Sequence, residues 1–103
     1  MKRNILIGAL AACMLSSCGE YNKLLKSSDY EYKYEAAKAS FAKGQYNRSI
    51  TLLNELITIL KGTPNAEESL YMLAMSYYNM EDYQTAAQTF IQYYNVYPRG
   101  VYT

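Results

Sequence analysis

The sequence predicts an all-α fold, an α-solenoid of two helix pairs plus the start of a third. Three observations predict it. Apolar residues recur at three- and four-residue spacing between Tyr34 and Tyr94, the period of one helix face. Gly44, the Gly62-Thr63-Pro64-Asn65 cluster and the Pro98/Gly100 pair punctuate that spacing. The segments so divided superpose at a constant offset of 37 residues. Composition agrees, since half of the 103 residues are apolar and 18% are charged, which is globular rather than disordered.

The chain opens on Lys2 and Arg3, followed by an apolar stretch from Ile5 to Leu15 interrupted only by Gly8. Such a stretch is about half of the ~20 residues a helix needs to cross a bilayer. Asn4 is the one polar residue between the charged pair and Ser16, so no amphipathic face marks a buried core helix. A positive start, a short apolar middle and then small residues form a secretory signal peptide, here residues 1–17. Its end, Leu15-Ser16-Ser17-Cys18, resembles the bacterial lipobox. The resemblance implies cleavage between Ser17 and Cys18, a diacylglycerol on the Cys18 thiol and an acyl chain on its new amino group. Two or three chains anchor stably where one does not, at about 0.8 kcal/mol per buried methylene. Cleavage would discard Cys13, which removes a Cys13–Cys18 disulfide. Residues 18–28 read as a short tether.

Asp29 caps the helix that follows, with Tyr34, Ala36, Ala37, Ala39 and Phe41 on its faces. Beyond Gly44 a second helix carries Ile50, Leu53, Leu56, Ile57 and Leu60. Asn65 and Glu68 form a capping-box pattern that opens a third, with Leu70, Leu73, Ala74 and Tyr77 on one face. A fourth follows Asp82 through Ala86, Ala87, Phe90, Tyr93 and Tyr94, and ends at Pro98 and Gly100. The repeats are thus 29–63 and 64–98, with 99–103 starting a third. Under the offset Ala37 maps to Ala74, Phe41 to Tyr78, Tyr46 to Tyr83, Leu53 to Phe90 and Leu56 to Tyr93.

This pattern resembles the tetratricopeptide repeat, whose period is about 34 residues. Leu73-Ala74 with Tyr77, and Tyr83 with Ala86, Phe90 and Pro98, carry the signature in the second unit. The first unit keeps Gly44, Tyr46 and Leu53, but has Ser40 where a ring is usual and Ser49 where alanine is usual. Three extra residues fall in the Gly62–Asn65 connection, where a loop absorbs them most easily. A solenoid of this type needs three or more units and a polar cap, so a chain ending at Thr103 is expected to be the leading part of a longer protein or the product of an interrupted gene.

Several function classes are excluded. Ten basic and nine acidic residues give a net charge of +1, too little field to grip nucleic acid. Without the leader the balance is eight to nine, net −1. There is no histidine, and two cysteines alone build no zinc site, so no metal and no cofactor beyond the covalent lipid is expected. Asp29, Glu31, Glu35, Glu67, Glu68, Glu81 and Asp82 read as helix-start and solvent-face charges without a partner nucleophile or base. The expected activity is therefore binding, not catalysis. Thirteen tyrosines supply amphipathic rings suited to packing and contact surfaces.

Lipobox, tether, Ala42-Lys43-Gly44-Gln45-Tyr46, Ser49-Ile50, Leu53, Leu56 and the Tyr97-Pro98-Arg99-Gly100-Val101-Tyr102 junction together resemble the BamD family, over residues 18–103. That resemblance implies an outer-membrane lipoprotein scaffold of the machinery that inserts β-barrels, with the barrel-assembly subunits and unfolded outer-membrane proteins as partners. The family has about five repeats, so the later ones, which contact the barrel-forming partner, would be missing here. Gly19 after Cys18, rather than Asp, fits outer-membrane sorting, and the absence of an acidic run fits a periplasm-facing position. In such solenoids the first helix of each pair lines the groove. With Ala37, Leu73, Ala74 and Tyr77 buried, Tyr34, Lys38 and Phe41 of one unit and Tyr71, Met75, Tyr78 and Asn79 of the next are expected to face it as a peptide-binding wall. The alternative is a SusD-like glycan-binding lipoprotein or another periplasmic peptide-binding repeat lipoprotein; glycan stacking would lean on tryptophan, and the chain has none.

Overall fold

The computed structural model describes residues 19–102. The signal peptide, its Ser17–Cys18 cleavage site and the lipidation position Cys18 lie outside the described residues. Within them the fold is all-α, without strands. Residues 19–26 form α1, followed by α2 (Tyr30–Ala42), α3 (Tyr46–Ile59), α4 (Pro64–Asn79) and α5 (Tyr83–Val96). Each helix from α2 onward packs on the next, and α2 also touches α4, so the two pairs stack into a tetratricopeptide-like array.

The repeat offset is written into the geometry. Ala37 and Ala74 are both fully buried, and so are Leu56 and Tyr93. Phe41 packs edge-on against Tyr46 with ring centroids 5.8 Å apart, and Tyr78 packs the same way against Tyr83 at 5.3 Å. Both turns between paired helices need a left-handed residue at the same place. Gly44 takes φ +76° in the first, and Glu81, 37 positions on, takes φ 65° in the second. The core runs through Leu52, Leu53, Leu56, Leu70, Leu73 and Tyr93, with Tyr34 and Ala37 joining from α2. Across the boundary between the pairs, the Ser49 and Ser76 hydroxyls bond at 2.9 Å in a buried setting.

The structure corrects four expectations. Residues 19–26 are no loose tether. They are helical, with Leu24 buried in the core and Tyr21 and Leu25 packed against it. The spacing of those three residues makes an apolar stripe, and a stripe that can reach a core folds onto it. Asp29 caps α2 as expected, accepting from the Tyr32 amide at 3.2 Å, and Asp82 caps α5 through the Thr85 amide at 3.3 Å. Asn65 and Glu68, however, do not form a capping box. Helix α4 starts two residues earlier than that cap implies, at Pro64 after an extended Thr63, because proline fixes φ and has no amide to satisfy. In α5 the inward residues are Ala86, Thr89 and Tyr93, with Phe90 half-buried, whereas Ala87 and Tyr94 are exposed. Finally, Glu67 and Glu68 are not solvent-face charges, for reasons given below.

Candidate functional site

The wall expected to bind peptide is built from the first helix of each pair, α2 and α4. Four positions recur across them at the 37-residue offset: 34 and 71, 38 and 75, 41 and 78, 42 and 79. Lys38 and Met75 are half-buried, as is Phe41, while Tyr78 and Asn79 are exposed. Tyr78 leaves 51% of its surface free even while its ring leans on Tyr83. The Lys38 ammonium sits 5.2 Å from the Tyr34 ring centroid, so its charge is held near the aromatic surface.

Tyr34 does not belong to an open wall. It is 3% exposed, and its hydroxyl donates to the Glu68 carboxylate of α4. Burial first, and then this bond to an anion, push the Tyr34 phenol well above its ordinary value of 10.0. The cause is the stacking itself, since position 34 faces the following repeat and α4 covers it. Tyr71, its equivalent, is covered in the same manner by what comes after α5. Tyr102 stacks flat on Tyr71, with centroids 3.9 Å apart and planes 5° from parallel, and Tyr93 and Phe90 meet the Tyr71 ring edge-on. Five of the seven expected residues, Lys38, Phe41, Met75, Tyr78 and Asn79, thus share an accessible register. Two tyrosines form the layer beneath.

Below Tyr71 a carboxylate ties down the junction after α5. Glu67 accepts from the Tyr93 hydroxyl at 2.8 Å and from the Val101 amide at 3.0 Å, and the Tyr93 hydroxyl in turn accepts from the Tyr102 amide at 3.1 Å. Burial raises the phenol of Tyr93, opposed by the Tyr102 amide and reinforced by Glu67. A Cβ on Gly100 would crowd Glu67 and Tyr93, which explains a glycine in the Tyr-Pro-x-Gly-x-Tyr junction.

Sequence reasoning missed Lys33. Its side chain is almost wholly buried, and its ammonium reaches the Leu25 carbonyl at 2.9 Å and both Glu55 oxygens at 3.1 and 3.0 Å. One cation therefore joins α1, α2 and α3. The signal was available, because position 33 corresponds to Leu70, a buried apolar site in the second unit. A groove of about 310 Å³ lies along α2, between the start of α1 and the α2–α3 turn, with Tyr21, Tyr32, Lys43 and Arg48 among its walls. No cluster of three or more histidine, cysteine, aspartate or glutamate side chains among the described residues could hold a metal ion.

A family profile described as outer membrane lipoprotein, YfiO, matches residues 27–101, which span both helix pairs and the junction after them. The chain belongs to the YfiO family. This is a BamD-like family of outer-membrane lipoproteins whose members are non-enzymatic assembly proteins. Comparison with curated proteins and with solved structures gave no match. The YfiO match begins after α1, so the helix that covers the leading edge of the first repeat lies outside it.

Proposed function

We propose that this chain is an outer-membrane-anchored scaffold in β-barrel assembly, holding unfolded outer-membrane protein segments and partner subunits beside the membrane. The observation that carries the reading is the YfiO match across residues 27–101. Acyl chains on Cys18 supply the anchor, and the chain itself does no covalent work. The helix-pair surface supplies the binding. Phe41 and Tyr78 offer ring surface with little rotamer entropy to lose, Met75 adds a flexible thioether that adapts to irregular surfaces, and Asn79 and Lys38 provide hydrogen bonds and a charge for a peptide's polar groups. An extended segment with aromatic side chains meets both needs.

The lipidated chain, reconstituted in vesicles, is titrated with a synthetic peptide ending in an aromatic β-strand sequence. Binding that weakens about tenfold in Tyr78→Ala supports the proposal, since one central ring in an interface is worth about 1–2 kcal/mol. Capture of the barrel-assembly subunits from native membranes by the parent chain supports it independently. Saturable binding of oligosaccharide in place of peptide overturns it in favour of glycan capture.

A further inference from the structure

Consecutive helices joined by short turns run antiparallel, so the α2–α3 and α4–α5 turns lie at one end of the molecule, and the α3–α4 turn and the α5 junction at the other. Helix α1 begins at the first of these ends. The Arg48 guanidinium, at the start of α3, stacks 4.5 Å above the Tyr21 ring, and Glu20 and Tyr21 line one groove with Lys43 and Gln45 of the α2–α3 turn. Residue 19, the first of the described residues, therefore lies at this end. The same end exposes apolar bulk at the α4–α5 turn, where Tyr78, Met80 and Tyr83 are 51%, 44% and 56% accessible.

We propose that this end of the repeat array rests in the headgroup region of the membrane, with Met80 and Tyr83 dipping into the interface and Lys43 and Arg48 meeting lipid phosphates. The proposal rests on the lipoprotein reading of Cys18. Rings with polar tips, a thioether and flanking cations are the side chains that settle at a membrane–water boundary. A protein partner fits less well, because two half-exposed side chains fall far below the ~800 Å² per side of a stable interface. Three carboxylates also lie at this end: Glu20 lines the groove with Lys43 and Arg48, Asp82 caps α5, and Glu81 is exposed on the tip, so the phosphate contacts fall to the two cations locally and not to a net positive charge. No helix of the described residues is long and apolar enough to cross a membrane, so contact is superficial.

The chain has no tryptophan, so a single substitution gives a clean fluorescent reporter. Tyr83→Trp at this end and Val101→Trp at the other are each made in the lipidated protein and placed in phosphatidylethanolamine–phosphatidylglycerol vesicles carrying brominated acyl chains. Should Tyr83→Trp lose the parent's helical circular dichroism, Met80→Trp reports on the same end. The expected result is a blue-shifted emission quenched several-fold more strongly in Tyr83→Trp than in Val101→Trp. Equal quenching, or none, on protein whose Cys18 is shown by mass spectrometry to be acylated overturns the proposal and leaves the anchor standing. Protein recovered without acyl groups and free of the vesicles removes the anchor and the proposal with it.

Discussion

Lys33 shows what one side chain costs and returns. A lysine in the register of Leu70 must bury its stem, and its charge survives only because Leu25 and Glu55 meet it. Removing the partner is therefore worse than removing the charge. Glu55→Ala is expected to lose about 1–3 kcal/mol in urea denaturation, below the usual toll for a fully buried pair because Glu55 is partly exposed. Lys33→Met is expected to cost less than Glu55→Ala, or to stabilise; the reverse order would mean that the ion pair is not what holds α1 and α3 to α2. The two turns give a second comparison. Glu81 holds the left-handed backbone that Gly44 holds in the first repeat, at a cost of about 1 kcal/mol for a residue with a Cβ. Glu81→Gly should thus raise the melting temperature or leave it unchanged, and Gly44→Ala should lower stability by about 1 kcal/mol. A stabilised Gly44→Ala would contradict the repeat equivalence of these turns.

Among the elements, α1 is the one whose role changes most between sequence and structure. In the second repeat the face of α4 carrying Ser69, Leu73 and Ser76 is covered by α3, and all three residues are buried. The corresponding face of α2 carries Tyr32, Ala36 and Ala39, and among the described residues no helix pair lies before it. Helix α1 covers part of it through Leu24, acting as a cap for the leading edge. Leu24→Ala should then cost about 2–3 kcal/mol, as for other buried leucines, and should make residues 19–26 sensitive to protease before the repeats unfold. A variant as stable as the parent would return this segment to the status of a tether. Tight coverage has its own cost in the second repeat, where the buried Ser69 hydroxyl has no hydrogen-bond partner, unlike the paired Ser49 and Ser76.

At the scale of the whole molecule, stacking of one repeat on the next is what makes the array a single body, and Tyr34 with Glu68 spans that boundary. Because the folded protein raises the Tyr34 phenol, the unfolded chain gives up the proton first, near pH 10. The stabilising contribution is complete below that pH and is lost as pH climbs toward the folded value. Tyr93, on the Glu67 side of the second repeat, is raised as well and adds to the same slope. The parent is expected to lose up to about 1.4 kcal/mol per pH unit for each such tyrosine above pH ~10, and Tyr34→Phe to lose measurably less. Urea midpoints at pH 7, 10 and 11 check this. Parallel curves for the two proteins would show that Tyr34 ionises freely in the folded state.

The sequence by itself determined the helix count from residue 29 onward, the breaks at Gly44 and Gly62, the caps at Asp29 and Asp82, the 37-residue repeat and the resemblance that the YfiO match bears out at the level of family. Those features depend on spacing and on local backbone chemistry, which a linear string carries. Only the tertiary structure decided that Tyr34 lies beneath the wall and Tyr78 on it, that Tyr93 rather than Tyr94 enters the core, and that Glu67, Glu68 and Lys33 are partners of buried groups. A helical period of 3.6 leaves adjacent positions on neighbouring faces. Which face is covered depends on a helix 20 to 40 residues away, and no local pattern specifies where that helix comes to rest.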